Sequence, residues 1–250
     1  MHFLSTQSSR GIVERDFLVD GVPGVLWSPE SPADRSAVLF LGHTGGMHKR
    51  APGLVAAAAR AVARGLTVVS LDAPGHGDRL ADEQVRQASA ALRTALEAGA
   101  PIGPAVIAHD AAVAARAVPE WRALLDAILA LPEFDGASVG FGGVGLGGVT
   151  GVLLAAAEPR ITALNVADVF VGDEVLDAAC RVSVPVLQQT PWDDEHLDRS
   201  TVLALFDAFA SRQKTLVAHS AGRRIPRPVS DGDSSTEFFR RHFTGAESAA

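Results

Sequence analysis

The stretch that most restricts how this chain can fold is Ser138–Thr150, SVGFGGVGLGGVT. An apolar, β-compatible run over Ser138–Val144 passes through a knot of glycines into a helical segment, Leu146–Glu158. Strand, tight glycine-rich turn and helix, in that order, is the local form of a parallel sheet covered by helices. Two frames fit the knot. Gly143, Gly145 and Gly148 match G-x-G-x-x-G, in which backbone amides at a helix N-terminus cradle a pyrophosphate. Gly143, Gly145 and Gly147 match G-x-S-x-G, a sharp turn that exposes a nucleophile, with glycine standing where the serine would be.

The flanking chain supplies the context. Residues 11–29 read as two short strands, IVERDFLVD and VPGVLWSP, joined by an Asp20-Gly21 hairpin turn. SAVLFLGH (36–43) and LTVVSLD (66–72) have the continuous apolar character of strands buried on both faces, and GLVAAAARAVARG (53–65) between them is a helix stopped by Gly65. A helical excursion over about 81–131 follows, broken by APIGP (100–104) and interrupted at Pro119, and it is placed to cover the sheet edge or to form a lid. After the glycine knot the alternation resumes: strands at 161–168, 185–191 and 214–220, and helices at 173–181, 197–210 and 234–243. The spacing predicts one α/β domain over 1–250 with a mostly parallel sheet of about eight strands.

The nucleotide frame has a point in its favour, because Asp168 ends the next strand about 20 residues on, where a ribose-binding acid belongs. Against it, this unit begins more than halfway along the chain, behind strands and Gly-rich loops of their own. Net charge is −7 with no basic stripe, which excludes a nucleic-acid footprint. No apolar run approaches the length of a membrane span, and MHFLSTQSSRGIVERD lacks a signal-peptide core, so a cytoplasmic protein is expected. Cys180, the single cysteine, excludes an intramolecular disulfide and reads as a buried, inert thiol.

Several loops carry a common likeness. The strand at 36–43 runs into GHTGGMHKR, LDAPGHGDR (71–79) follows the next strand, and PVLQQTPWDDE (185–195) ends a later one. With the glycine knot, in this order, they resemble the α/β-hydrolase superfamily and its dienelactone-hydrolase-like branch over roughly residues 30 to 243. The resemblance implies the α/β-hydrolase fold. It implies an oxyanion hole from the backbone amides of Thr44 or Gly45, beside His43, together with that of Leu146. It also places the nucleophile at Gly145, which has no side chain, so no covalent acyl-enzyme can form there.

The acid position falls on Asp193 or Asp194, after Trp192; the alternative role for either is to cap or charge the following helix. The histidine position falls in HSAGRRIPRP (219–228), where His219 comes early and Arg223 or Arg224 stands where the histidine is expected. An arginine cannot act as a base at neutral pH, though it can hold a carboxylate or phosphate. His219 is the best available acid/base, or else a surface residue at a strand end. His48 and His76 read as loop ties, and His109 and Asp110, adjacent on a helix, are not expected to face each other. No ligand spacing points to a metal and no cofactor is implied.

These residues together lead to an expected enzyme of the hydrolase fold that binds a small organic substrate over the oxyanion hole. It would carry out elimination, cyclisation, isomerisation or water addition, with Asp193, Asp194 and His219 moving protons and Trp192 and Arg223 among the binding groups. The alternatives are an inactive small-molecule binding protein of the same fold and a Rossmann-like dinucleotide binder using Gly143, Gly145 and Gly148. A homodimer is compatible with the sequence, and the Ala- and Arg-rich composition is associated with high-GC bacterial genes and with specialised metabolism.

Overall fold

A computed structural model describes residues 1–31, 37–220 and 229–243. The chain opens with an antiparallel ribbon, β1 (His2–Ser9), β2 (Ile12–Val19) and β3 (Val22–Pro29). Asp20-Gly21 turns β2 into β3 with both residues left-handed, at φ 49° and 81°, as a two-residue hairpin demands. β1 was not anticipated. Its turn, Arg10-Gly11 at φ 54° and 80°, has the same geometry, but arginine carries no turn signal and the strand is a polar sheet edge with no apolar alternation to reveal it.

Six further strands complete the sheet: β4 (Ala37–Gly42), β5 (Thr67–Leu71), β6 (Ser138–Val144), β7 (Ile161–Ala167), β8 (Val186–Pro191) and β9 (Lys214–His219). The described residues thus form nine strands in the order β1-β2-β3-β5-β4-β6-β7-β8-β9, parallel from β5 onward. Helices α1 (Pro52–Val62) and α7 (Val229–Phe243) cover one face. On the other lie α2 (Glu83–Glu97), α3 (Gly103–Leu129), α4 (Leu146–Ala157), α5 (Asp173–Ala179) and α6 (Arg199–Ala208). The strand run AVLFLG is apolar throughout because successive residues serve different cores. Leu39 packs with Ala58 and Phe239, whereas Phe40 joins Trp121, Phe141 and Val152.

The helical excursion differs from expectation in one respect: α3 runs unbroken through Pro119. Proline removes only the bond to the carbonyl of Ala115, and both residues lie on the exposed side, where water can take the freed oxygen. α3 packs along α4, and Arg79 clamps Glu120 through two bonds of 2.7 and 2.6 Å. Cys180 is exposed rather than buried. It caps the end of α5, whose core face is taken by Ala178 and Ala179.

The glycines of the central knot are used for close packing. A Cβ on Gly143 would lie 2.2 Å from the Gly147 carbonyl, and one on Gly147 would lie 2.3 Å from the Gly42 oxygen. A Cβ on Gly148 would meet Val169 at 2.6 Å. Backbone meets backbone at the first two positions, so no side-chain rotation can relieve an added methyl. Gly147→Ala is therefore expected to lower the unfolding free energy by roughly 2–3 kcal/mol in urea titrations. Gly53→Ala, on an open face of α1, should be neutral or stabilise by up to about 1 kcal/mol.

Candidate functional site

The carboxyl ends of β4, β6, β7 and β8 converge on the turn at Gly145. This residue sits between β6 and α4 at φ 55° and ψ −116°, a conformation open to glycine and strained for any other residue. Its N–H donates to the Ala167 carbonyl at 2.8 Å, which pins the turn to the end of β7. A Cβ at this position would lie 2.8 Å from Thr44 Oγ1 and 3.9 Å from the Asp168 carbonyl oxygen. The threonine hydroxyl therefore fills the space into which an elbow side chain would project.

The loop after β4 is held by buried bonds. His43, 5% exposed, accepts the Ala73 N–H on Nε2 at 3.0 Å, so its proton lies on Nδ1, which donates to the Thr44 carbonyl at 2.9 Å. Burial, the largest cause, pushes this imidazole down to about 4. Lys49 lies close by and donates its backbone N–H and its ammonium to Asp72 at 2.8 and 2.6 Å, both side chains being buried. Burial alone would raise the Asp72 carboxyl, but the Lys49 bonds hold it below the usual range. The pair ties GHTGGMHKR to the loop after β5, and breaking it would cost about 3–5 kcal/mol. The amides of Thr44 and Gly45 have no backbone acceptor among the described residues, and that of Leu146, first in α4, has none within the helix.

His76 and His109 extend this buried cluster. The ring centroids of His43 and His76 are 5.4 Å apart and those of His76 and His109 are 5.8 Å apart. Contrary to expectation, His109 and Asp110 do meet, with Nδ1 and Oδ1 at 2.9 Å and both side chains buried. The wide interface of α3 takes in both neighbours, so both side chains are buried and meet there.

A cavity of about 610 Å³ opens beside Gly145 and runs between the sheet and helices α1 and α7. His43, Thr44 and Asp168 line its mouth, and Leu39, Leu41, Leu54 and Phe239 form apolar walls. Asn165, Gln189 and Arg60 add polar atoms to its lining. Gly142 on β6 leaves this room, because a Cβ there would point toward Leu41 and Phe239 across the cavity. Asp168 is a residue that sequence reasoning placed only in a ribose-binding role. Its φ of 53° is uncommon outside glycine and was the signal no sequence shows.

The other expected residues lie near this edge but do not line the cavity. Pro191 pairs with His219, and the Trp192 N–H donates to the His219 carbonyl at 2.8 Å. Asp193 is exposed and pairs with Arg199 at 2.9 Å, while the same guanidinium stacks on Trp192. Asp194 Oδ1 accepts the amides of His196 and Leu197 at 2.8 and 3.1 Å. Gly45 is exposed, and the Leu146 side chain packs with Val85 and Val113. Arg223 and Arg224 lie outside the described residues. A second depression of about 700 Å³, beside β9 and α7, is remote from the turn, and its Lys214 is already bonded to the carbonyls ending α6. Among the described residues no helix is long and apolar enough to cross a membrane.

A cold-adapted esterase from an Arctic intertidal metagenomic library, solved as its PEG-bound complex, superposes with a TM-score of 0.75 at 28% identity, over 97% of this chain and 100% of the esterase. The chain has the α/β-hydrolase fold. Acetyl xylan esterase 1 from Thermoanaerobacterium shares it at 18% identity, a TM-score of 0.72, and coverage of 97% of this chain and 87% of that one. The dienelactone hydrolase from Anabaena variabilis has the same fold, superposing at 16% identity and a TM-score of 0.64 over 91% of this chain and 96% of the hydrolase. No protein-family model and no curated protein matches this α/β-hydrolase-fold chain.

The buried imidazole gives this site a pH signature. Below pH 6.5 the unfolded chain takes up a proton on His43 that the folded chain refuses until about pH 4. Stability is therefore lost as pH falls through this window, by roughly 3 kcal/mol from this group. His76 is lowered by burial too and acts with the same sign. Glu158, held at about 2 chiefly by Arg160, adds its loss below pH 4.5. Urea titrations between pH 7 and 4.5 should show the fall, and His43→Gln should flatten it.

Proposed function

We propose that this α/β-hydrolase-fold chain binds a small organic molecule in the cavity beside Gly145 and acts on it without a covalent intermediate. The observation that carries this reading is the turn itself: its strained backbone is kept, its side chain is gone, and Thr44 Oγ1 stands 2.8 Å from the vacated Cβ position. The amides of Gly45 and Leu146 would polarise a carbonyl oxygen, the part of the esterase machinery that needs no nucleophile. Asp168, at the cavity mouth, would take the proton next to that carbonyl, and Thr44 would orient the substrate. Elimination, isomerisation, cyclisation and water addition all fit such a proton transfer. Asp193 and His219, at the ends of β8 and β9, stand by as the second acid/base pair, and Arg223 as a further binding group. A place in bacterial specialised metabolism goes with the same reading.

A second reading, a binding protein without catalysis, draws on one observation. Both aspartates of the acid turn have local partners, Asp193 in Arg199 and Asp194 in two backbone amides.

A fluorophosphonate probe and p-nitrophenyl esters test the first reading. The wild-type chain should remain unlabelled and show no ester turnover above the buffer rate. Gly145→Ser alone should lose roughly 1–3 kcal/mol of stability, since its Cβ is strained and meets Thr44. Adding Thr44→Ala should restore part of the loss and open a route to labelling. Stoichiometric labelling of the wild type would sink the proposal.

A further inference from the structure

Among the described residues Arg60 has no anionic partner. It lines the cavity from α1, its Nε is buried with no hydrogen-bond acceptor, and it forms no ion pair among the described residues. Arg50, Arg79 and Arg160 are each matched to carboxylates. Among the described residues that line the cavity Asp168 is the one carboxylate, and it forms no ion pair with Arg60. An arginine held against apolar walls with an unmet donor is arranged for an acid that arrives with the ligand.

Asn165 supplies a second and independent observation. It is 8% exposed, lines the same cavity, and its Oδ1 is buried without a donor. Buried polar atoms are almost always paired, so an unmet acceptor facing a cavity marks where a ligand O–H or N–H fits. Gln189, on the adjacent strand, is already engaged by Ser235 Oγ at 3.1 Å.

The fold sets the spacing. A crossover helix runs against its strands, so the end of α1 that holds Arg60 points away from the mouth at Thr44. Pro52 and Arg60 are about 12 Å apart along the helix, and the arginine leans back toward the helix start. A ligand joining the two ends has an apolar body of roughly 6–10 Å, matched by the walls of Leu39, Leu41, Leu54 and Phe239.

We propose that the inner cavity is a carboxylate subsite built on Arg60, with Asn165 receiving a hydroxyl or amide N–H, so that the ligand is a hydroxy- or amido-acid with an apolar body. The proposal names the ligand class of the preceding reading and rests on that cavity being the ligand site.

Calorimetric titration with 3-hydroxyoctanoate and with 1,3-octanediol isolates the charge, because the two differ at the acid end. The acid should bind at least tenfold more tightly than the diol. Arg60→Gln should abolish that preference while leaving the diol within about twofold, and Arg60→Lys should keep part of it. Asn165→Leu should weaken both ligands by about fivefold or more. Unchanged thermal melting of the Arg60 variants keeps the comparison clean. Equal binding of acid and diol, no binding of either, or an Arg60→Gln chain that still prefers the acid would overturn the subsite. Fluorophosphonate labelling would instead overturn the non-covalent reading and leave the charge preference standing, so the two failures are distinguishable.

Discussion

The closest constraint in this molecule is a contact between backbones. Gly42 at the end of β4, Gly143 in β6 and Gly147 in the first turn of α4 approach so nearly that no Cβ fits between them. That approach seats α4 directly on the two central strands and fixes where its N-terminus points. Everything at the carboxyl edge of the sheet takes its place from this seat. The turn at Gly145, the loop that begins with His43 and the mouth of the cavity are all within one or two residues of it.

The edge is stiffened from outside by charge. Lys49 and Asp72 form a buried pair between the loops after β4 and β5, and Arg50 reaches Glu14 and Asp16 on the antiparallel ribbon. Arg79 reaches across to α3. Loops of this composition would otherwise be mobile, and an oxyanion hole made of loop amides works only when those amides stay where they are. The loops around the Gly145 turn are thus held rigid, as the proposed oxyanion-stabilising role of their amides requires.

The parts of this arrangement that were legible in the sequence are those written in local pattern. Doubly buried strands read as unbroken apolar runs, and the knot at 143–148 gave the elbow and the absent side chain together. What stayed hidden depends on how distant elements meet. β1 carries no apolar alternation because both its faces are largely exposed, so little in it needs to be apolar. Asp168 and Arg60 lie 108 positions apart and share a cavity only because α1 and β7 flank the same gap. Helical geometry gives no reason for the adjacent His109 and Asp110 to face each other, yet α3 is buried broadly enough to enclose both. Pro119 looked like a break, and its exposure made it harmless.

The histidine that begins the loop after β4 has a consequence for chemistry in the cavity. Both ring nitrogens of His43 are spent on backbone, one as acceptor from Ala73 and one as donor to Thr44. Its single lone pair points away from any ligand, so the imidazole nearest the cavity mouth has no basicity to offer. It acts as a strut. Any ionisation near neutrality that governs turnover must then be sought in the bound molecule itself or in a group other than His43.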